Sequence, residues 1–342
     1  MPTITFEEEE LKASVPNLAT AATGKEWTTT TLRWRRDPLT GHIARILTGV
    51  KLQPPNRPDL RELTAKPPFC PFCADVFEQA TFPFPASLIS EGRIRRGQAV
   101  VVPNVLAYAV HSAVGIYDTE RHFVDLDQLT PGLVGDALAA LIVHGHAVRR
   151  FDPSATWSSI NANQLPPSGS SLVHPHMQSA HDGYGCTTQR NLVERSAQWP
   201  HHYWETLLEQ EKSGPRWVGT TGRVAWLTPF APSGFYEVWG VVEGAADIVD
   251  LTDNDAAALG EGLSRIFGAY FDWNLTSFNF SLGGGGPEAS HSRYFLLMKV
   301  VSRANAEPMY RSDVTYFERL QDTALIDVAP EEVAETLRQK FQ

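Results

Sequence analysis

Two imidazoles and an amide occupy alternate positions in His174-Pro175-His176-Met177-Gln178. On an extended segment that spacing puts all three on one face, because strand side chains alternate with a period of two. Such a face must meet something polar. Just upstream, Pro166-Pro167-Ser168-Gly169-Ser170-Ser171 supplies hydroxyl and backbone N–H donors suited to a phosphate. Neutral imidazole is a nucleophile near pH 7, and uncharged amides and hydroxyls beside it can receive negative charge shifting on a phosphoryl group. A lone His-x-His reads more simply as two satisfied histidines on a strand. The adjoining Gly/Ser loop tips the reading to a functional face that meets a phosphate.

A second constellation is Cys70-Pro71-Phe72-Cys73, which follows Pro67-Pro68 on a proline-stiffened loop. Three cysteines cannot make a disulfide framework, and Cys-x-x-Cys in a reducing compartment suggests metal or redox chemistry. Cys186 has no adjacent base to make a thiolate and reads as a small buried residue. His144 and His146, two apart on a predicted helix, fall on different faces and read as surface or interface residues. His181, His201 and His202 have no partner at ligand spacing.

The elements that must position these groups repeat. Thr31 to Arg36 alternates, Asp37-Pro38-Leu39-Thr40-Gly41 turns, and His42 to Leu47 alternates again, which predicts a hairpin. The first 30 residues show no clear period and read as an arm or an edge strand. After a proline-rich connection at 54–58 come strands over 98–102 and 109–117, then a helix over 131–150 with Leu133, Ala137, Leu138, Leu141 and Ile142 at helical spacing. The same order returns in 223–227, 235–242 and 253–271. Val124-Asp125-Leu126 and Val249-Asp250-Leu251 precede the two helices, 125 residues apart, so the chain reads as a degenerate duplication.

At these residues the sequence resembles the galactose-1-phosphate uridylyltransferase family of the histidine-triad superfamily, which also contains the ADP-sugar phosphorylases. The resemblance rests on Ser171-x-x-His174-Pro175-His176-x-Gln178, Asn163 upstream, Cys70-x-x-Cys73, and Arg35 with the turn after it; weaker similarity covers most of the chain beyond residue 30. It implies an α+β fold of two histidine-triad-like halves, each a mainly antiparallel sheet with covering helices: an arm over 1–30, a catalytic half over 31–195 and a non-catalytic half over 196–342. It implies a ping-pong nucleotidyltransferase or phosphorylase in which His176 attacks the α-phosphorus of a nucleotide sugar or related nucleotide. A covalent nucleotidyl-histidine forms, and a phosphorylated acceptor then takes the nucleotide. Gln178, Ser171, Ser170 and Asn163 would bind the phosphate, the Pro175 carbonyl would fix the His176 tautomer, and Arg35 and Asn104 would bind substrate. Cys70, Cys73, His122 and His174 would hold a structural zinc ion, and the chain would pair as a homodimer.

The sequence also departs from the family. The clustered histidines of a second metal site are missing, and His291 and Arg293 fall opposite His174 and His176 in the repeat. The acidic sugar-reading residue is absent from Tyr294 to Val301, which speaks against galactose 1-phosphate as acceptor; Lys299 could face an anionic one, although a strand lysine snorkelling to solvent is the simpler reading. Val105 replaces the acidic residue after Asn104. Two other readings follow: a nucleotide hydrolase with water as acceptor, or a nucleotide-binding protein without turnover.

Composition bounds the rest. In 342 residues, 42% are hydrophobic and 20% charged, which excludes fibrous and wholly disordered chains. The net charge of −10 repels nucleic acid and anionic membrane, so neither is an expected partner. No run matches the roughly 20 apolar residues of a membrane span, and the acidic start is unlike a signal peptide, so the cytoplasm is the default expectation.

Overall fold

The structure is a computed structural model that describes residues 2–49, 52, 56–287 and 289–342. Pro54 and Pro55 of the expected proline-rich connection lie outside the described residues.

Strands β1 (Glu7–Pro16), β2 (Trp27–Arg36) and β3 (Ile43–Leu47) open the chain. The predicted hairpin is β2 and β3, but regular structure starts well before Thr31. β1 pairs with all of β2, from Glu7 opposite Arg36 to Pro16 opposite Trp27. Neither face of β1 is fully buried, so its sequence has no apolar alternation to betray it.

The first repeat follows with α1 (Phe77–Ala80), β4 (Ile94–Arg96), β5 (Ala99–Pro103), β6 (His111–Ile116), α2 (Pro131–Phe151), β7 (Trp157–Gln164) and β8 (His176–Asp182). Two helices, α3 (Thr187–Gln198) and α4 (Tyr203–Glu211), lead to the second repeat: β9 (Trp217–Thr221), β10 (Val224–Leu227), β11 (Val238–Val242), α5 (Asp253–Asp272), β12 (Ser277–Gly285) and β13 (Leu296–Arg303). The chain closes with α6 (Tyr316–Gln321), β14 (Thr323–Ile326) and α7 (Pro330–Phe341). β14 joins β3 in parallel and completes a small four-stranded sheet.

The two repeats share one ten-stranded sheet in the order β4-β5-β6-β8-β7-β12-β13-β11-β10-β9, antiparallel throughout. Read from either outer edge the order is the same, so the halves are related by a twofold-like arrangement that meets where β7 pairs with β12. They also share one core. Leu138, Leu141, Ile160 and Met177 of the first repeat lie in the same buried cluster as Leu263, Phe267, Phe280 and Met298 of the second.

Both long helices start on a threonine cap: the Thr130 hydroxyl accepts the Leu133 N–H, and Thr252 forms a capping box with Asp255. α2 and α5 cross so tightly that a Cβ on Gly260 would lie 2.7 Å from the Gly135 nitrogen and the Pro131 oxygen. The crossing corrects one expectation. α2 is long and apolar enough to span a membrane by length and composition, yet 67% of its most apolar window is buried between the sheet and α5. Its apolar residues are core residues.

The repeat register also differs from expectation. Asp127-Gln128-Leu129 separates Leu126 from its helix cap in the first half, whereas Thr252 directly follows Leu251 in the second, so the offset shrinks along the chain. His176 pairs with Ile116, and Val241, 125 residues beyond Ile116, pairs with Leu297. The counterpart of His176 is therefore Leu297 rather than Arg293, and that of Gln178 is Lys299. Leu297 is buried in an apolar cluster with Trp204 and Leu207 of α4.

Candidate active site and metal centre

β8 carries the nucleophile candidate at its first position. Met177, Ser179 and His181 turn toward α2 and are buried, so by alternation His176 and Gln178 occupy the opposite face. His176 Nδ1–H donates to the backbone carbonyl of His174 at 2.8 Å. A carbonyl can only accept, so the proton is on Nδ1 and Nε2 keeps its lone pair. The sequence expectation named the wrong carbonyl: Pro175 accepts the Tyr117 N–H instead. Which of two successive carbonyls faces the ring depends on how the peptide planes lie, which local pattern does not encode.

The side-chain amide nitrogen of Gln178 lies 3.5 Å from His176 Nε2, at the limit of a hydrogen bond. Phe72 meets the His176 ring edge-on with centroids 5.4 Å apart. Burial lowers the pKa of His176, partly opposed by the bond to the His174 carbonyl. The ring is 7% exposed and buried enough to stay neutral near pH 7.

A polar row runs across the sheet on this face. Gln178 pairs with Asn161, Asn161 with Ser281, and Ser281 with Lys299. The Ser281 hydroxyl donates to Asn161 Oδ1 at 2.7 Å, joining the halves across the sheet centre. One rung away, Asn163 Oδ1 accepts a 2.6 Å bond from Asn279. Sequence reasoning assigned no role to Asn279, although Asn279 and Ser281 alternate with Phe278, Phe280 and Leu282 and so had to share the polar face.

The loop before β8 is tightly built. Leu165 and Gly169 have positive φ, and the Ser168 hydroxyl donates to the Leu165 carbonyl at 2.8 Å. Ser170 is buried and spends its hydrogen on the Leu172 carbonyl, so it is not the free donor that the sequence implied. Ser171 is exposed at the mouth of the loop. Asn104, at the end of β5, uses its side-chain oxygen on the Leu106 N–H, while its amide nitrogen is buried without a partner.

Arg35 is not gathered with these residues. It is 4% exposed, ion-paired to Glu8 on the neighbouring strand and to Glu331 of α7 at 2.9 Å, and stacked on Phe230 at 4.6 Å. Arg216 extends the cluster through Glu331 and the buried Glu211. Lys299 is also occupied, 3.3 Å from the buried Glu237 carboxylate and 3.0 Å from the Ser233 hydroxyl. Burial alone would raise the Glu237 pKa, but Lys299, Trp239 and Ser233 together hold it below the usual carboxylate range.

Cys70, Cys73, His122 and His174 converge with their ligand atoms all within 4.8 Å of one another. His174 Nδ1 lies 3.6 Å from each sulfur, and His122 Nδ1 lies 3.4 Å from Cys73. A tetrahedral zinc ion with ordinary Zn–S and Zn–N lengths holds sulfur and nitrogen about 3.6 Å apart, so the donor set fits that ion. His174 Nε2–H donates to the Asp118 carbonyl at 2.7 Å, which leaves Nδ1 as the ligand atom. Burial drives His174 down to about 4 and so keeps it neutral. The cysteine loop packs Phe72 and Phe77 on Val100, Val102, Val114 and Ile116, beside the start of β8.

Two other residues correct the sequence reading. His144 is buried, not superficial: its Nδ1 meets the Ser179 hydroxyl at 3.0 Å and its ring stacks on Phe84. His181, buried beside it, meets the Ser158 hydroxyl at 3.0 Å and the His144 ring at 5.1 Å. Cys186 is exposed, not buried, and caps α3.

No protein-family model matches the chain. It is 30% identical over 311 residues to an uncharacterized protein of Archaeoglobus fulgidus, across 89% of this chain and 91% of that one. The two proteins belong to one family. Among solved structures, the chain is similar to an ADP-glucose phosphorylase from Arabidopsis thaliana with bound ADP-glucose, at a TM-score of 0.68 and 18% identity over 90% of this chain and 98% of that one. It is similar over the same shares to a galt-like protein from Arabidopsis thaliana, at 0.67 and 19%, and to a uridylyltransferase, at 0.62 and 19%. The chain thus has the α+β fold of these solved structures, the fold that its motifs implied.

Proposed function

We propose that the protein is a nucleotidyltransferase or phosphorylase that moves a nucleoside monophosphate between a nucleotide sugar and a phosphate-bearing acceptor through His176. The observation that carries this reading is the 2.8 Å bond from His176 Nδ1–H to the His174 carbonyl, which leaves Nε2 unprotonated beside Gln178. Nε2 attacks the α-phosphorus; an N–P bond forms, the P–O bond to the sugar phosphate breaks, and that phosphate leaves with the electron pair. In the return step an acceptor phosphate oxygen attacks the same phosphorus and the N–P electrons go back to Nε2. The leaving group is already a good one, so no general acid is needed.

Gln178 and Asn163 would donate to the non-bridging oxygens, with Ser171 at the loop mouth; each donor kept rigid lowers the barrier as charge shifts. Cys70, Cys73, His122 and His174 would hold zinc with no ligand position left open, a structural site that ties the cysteine loop to the strand start. Pairing as a homodimer belongs to the same reading and is read by light scattering.

The test is intact-mass analysis after incubation with ADP-glucose and with UDP-glucose. An added AMP or UMP mass on the wild type, absent from His176→Gly, is the expected result. No adduct and no exchange with phosphate would favour a binding protein, and sugar-phosphate release without transfer would favour a hydrolase.

A further inference from the structure

The second half has Leu297 where the first has His176, yet one of its residues reaches the first half at the site. Asn279 on β12 donates from its amide nitrogen to Asn163 Oδ1 at 2.6 Å and to the Ser168 carbonyl at 2.9 Å. Its own Oδ1 accepts from the Arg303 guanidinium at 2.6 Å. Arg303 is in turn held in a fork by Asp313, at 2.7 and 2.8 Å.

Donor and acceptor chemistry fixes every orientation in this chain. Arginine only donates, so the Asn279 oxygen must face Arg303. A carbonyl only accepts, so the Asn279 nitrogen must face Ser168. The atom that Asn163 presents to that same nitrogen must then be its oxygen, which leaves the Asn163 amide N–H groups to donate elsewhere. Asn163 follows Ala162, the partner of Met177, and so lies at the rung of His176 on the polar face. The Ser168 carbonyl belongs to the loop that carries Ser171.

We infer that Asn279 is a positioning residue for transfer at His176: it sets the amide orientation of Asn163 and anchors the phosphate-side loop, so the non-catalytic half supplies order to the catalytic one. This inference rests on the nucleotidyl-histidine reading above. It predicts that Asn279→Asp, which keeps the Arg303 contact but turns a donor into an acceptor facing two oxygens, slows adduct formation roughly tenfold to a hundredfold while the KM for nucleotide sugar changes little.

The experiment compares the rate of nucleotidyl-enzyme formation from ADP-glucose and UDP-glucose in the wild type, Asn279→Asp, Asn163→Ala and the double variant, with melting temperatures alongside. If Asn279 acts through Asn163, the double variant is no slower than Asn163→Ala alone. Asn279→Ala serves in the same cycle should the aspartate variant fail to fold. Single-variant rates equal to wild type, or a double variant slowed by the product of the two single effects, would overturn the inference. A wild type that forms no adduct would instead overturn the reading beneath it.

Discussion

His174 and His176 share a two-residue link in which one residue's carbonyl holds the other's ring: His176 Nδ1–H donates to the His174 backbone oxygen at 2.8 Å, while His174 turns its own Nδ1 toward Cys70 and Cys73. The candidate metal centre and the proposed nucleophile are therefore held by one piece of backbone. Purified protein is expected to carry about one zinc per chain. Cys73→Ser should lose it, lower the melting temperature by roughly 5–10 °C and slow transfer without abolishing it. Elemental analysis checks the first point; a metal-free wild type with full activity would remove the site.

The Gln178 amide lies 3.5 Å from the His176 nitrogen proposed to react. Gln178→Ala should reduce the rate of adduct formation by about a hundredfold, and Gln178→Glu by more, because a carboxylate repels the phosphoryl oxygens. Rapid-quench measurement of both, with an unchanged melting temperature, tests the assignment.

Arg35 is committed to ion pairs with Glu8 and Glu331. Arg35→Ala leaves Glu8 without its cation and Glu331 with Arg216 alone, and should cost about 2 kcal/mol, read by denaturant unfolding. A normal melting temperature with a raised KM would return Arg35 to substrate binding.

Stability should fall as pH drops from about 6.5. Burial, with the neighbouring imidazoles, pushes His144 down to about 3, and burial with nearby positive charge pushes His181 to about 4. Both folded values lie below the unfolded one near 6.5, so the unfolded chain binds more protons between about pH 4 and 6.5. At pH 5 the loss approaches about 2 kcal/mol per group. The double variant His144→Gln with His181→Gln should show a shallower decline of melting temperature between pH 7 and 5; an equally steep one would exclude the pair as its source.

Gly260→Ala sets two effects against each other. Alanine favours a helix over glycine by about 1 kcal/mol. The new methyl, however, would press on the backbone of α2 at 2.7 Å, and overpacking costs about 1–3 kcal/mol when side chains must yield. Backbone yields less than side chains, so a net loss is expected in thermal melts, and a gain would mean the helices slide apart freely.

What could be read from the sequence was what has a short period. The alternation of His176 and Gln178, the helical spacing of α2 and α5 and the Cys70-x-x-Cys73 loop are local patterns, and all three appear in the fold. What escaped depends on contacts remote in sequence or on backbone direction. Arg35 is committed to Glu8 and Glu331, 27 and 296 residues away. Asn279 reaches Asn163 across 116 residues. His144 sits on a helix face buried by Phe84 and Ser179, which no spacing within α2 announces. The choice between two successive carbonyls for His176 was set by how one peptide plane turns.

The union of β7 with β12 runs from Gln164 opposite Phe278 to Trp157 opposite Gly285. A fragment ending after β8 would bare that whole border, and the surface most like the missing mate is the same border on another fragment. Two such pieces joined there would restore a ten-stranded sheet carrying two copies of His176 in place of one. Severing the chain at that point therefore uncovers a self-complementary edge, with a paired fragment as its signature.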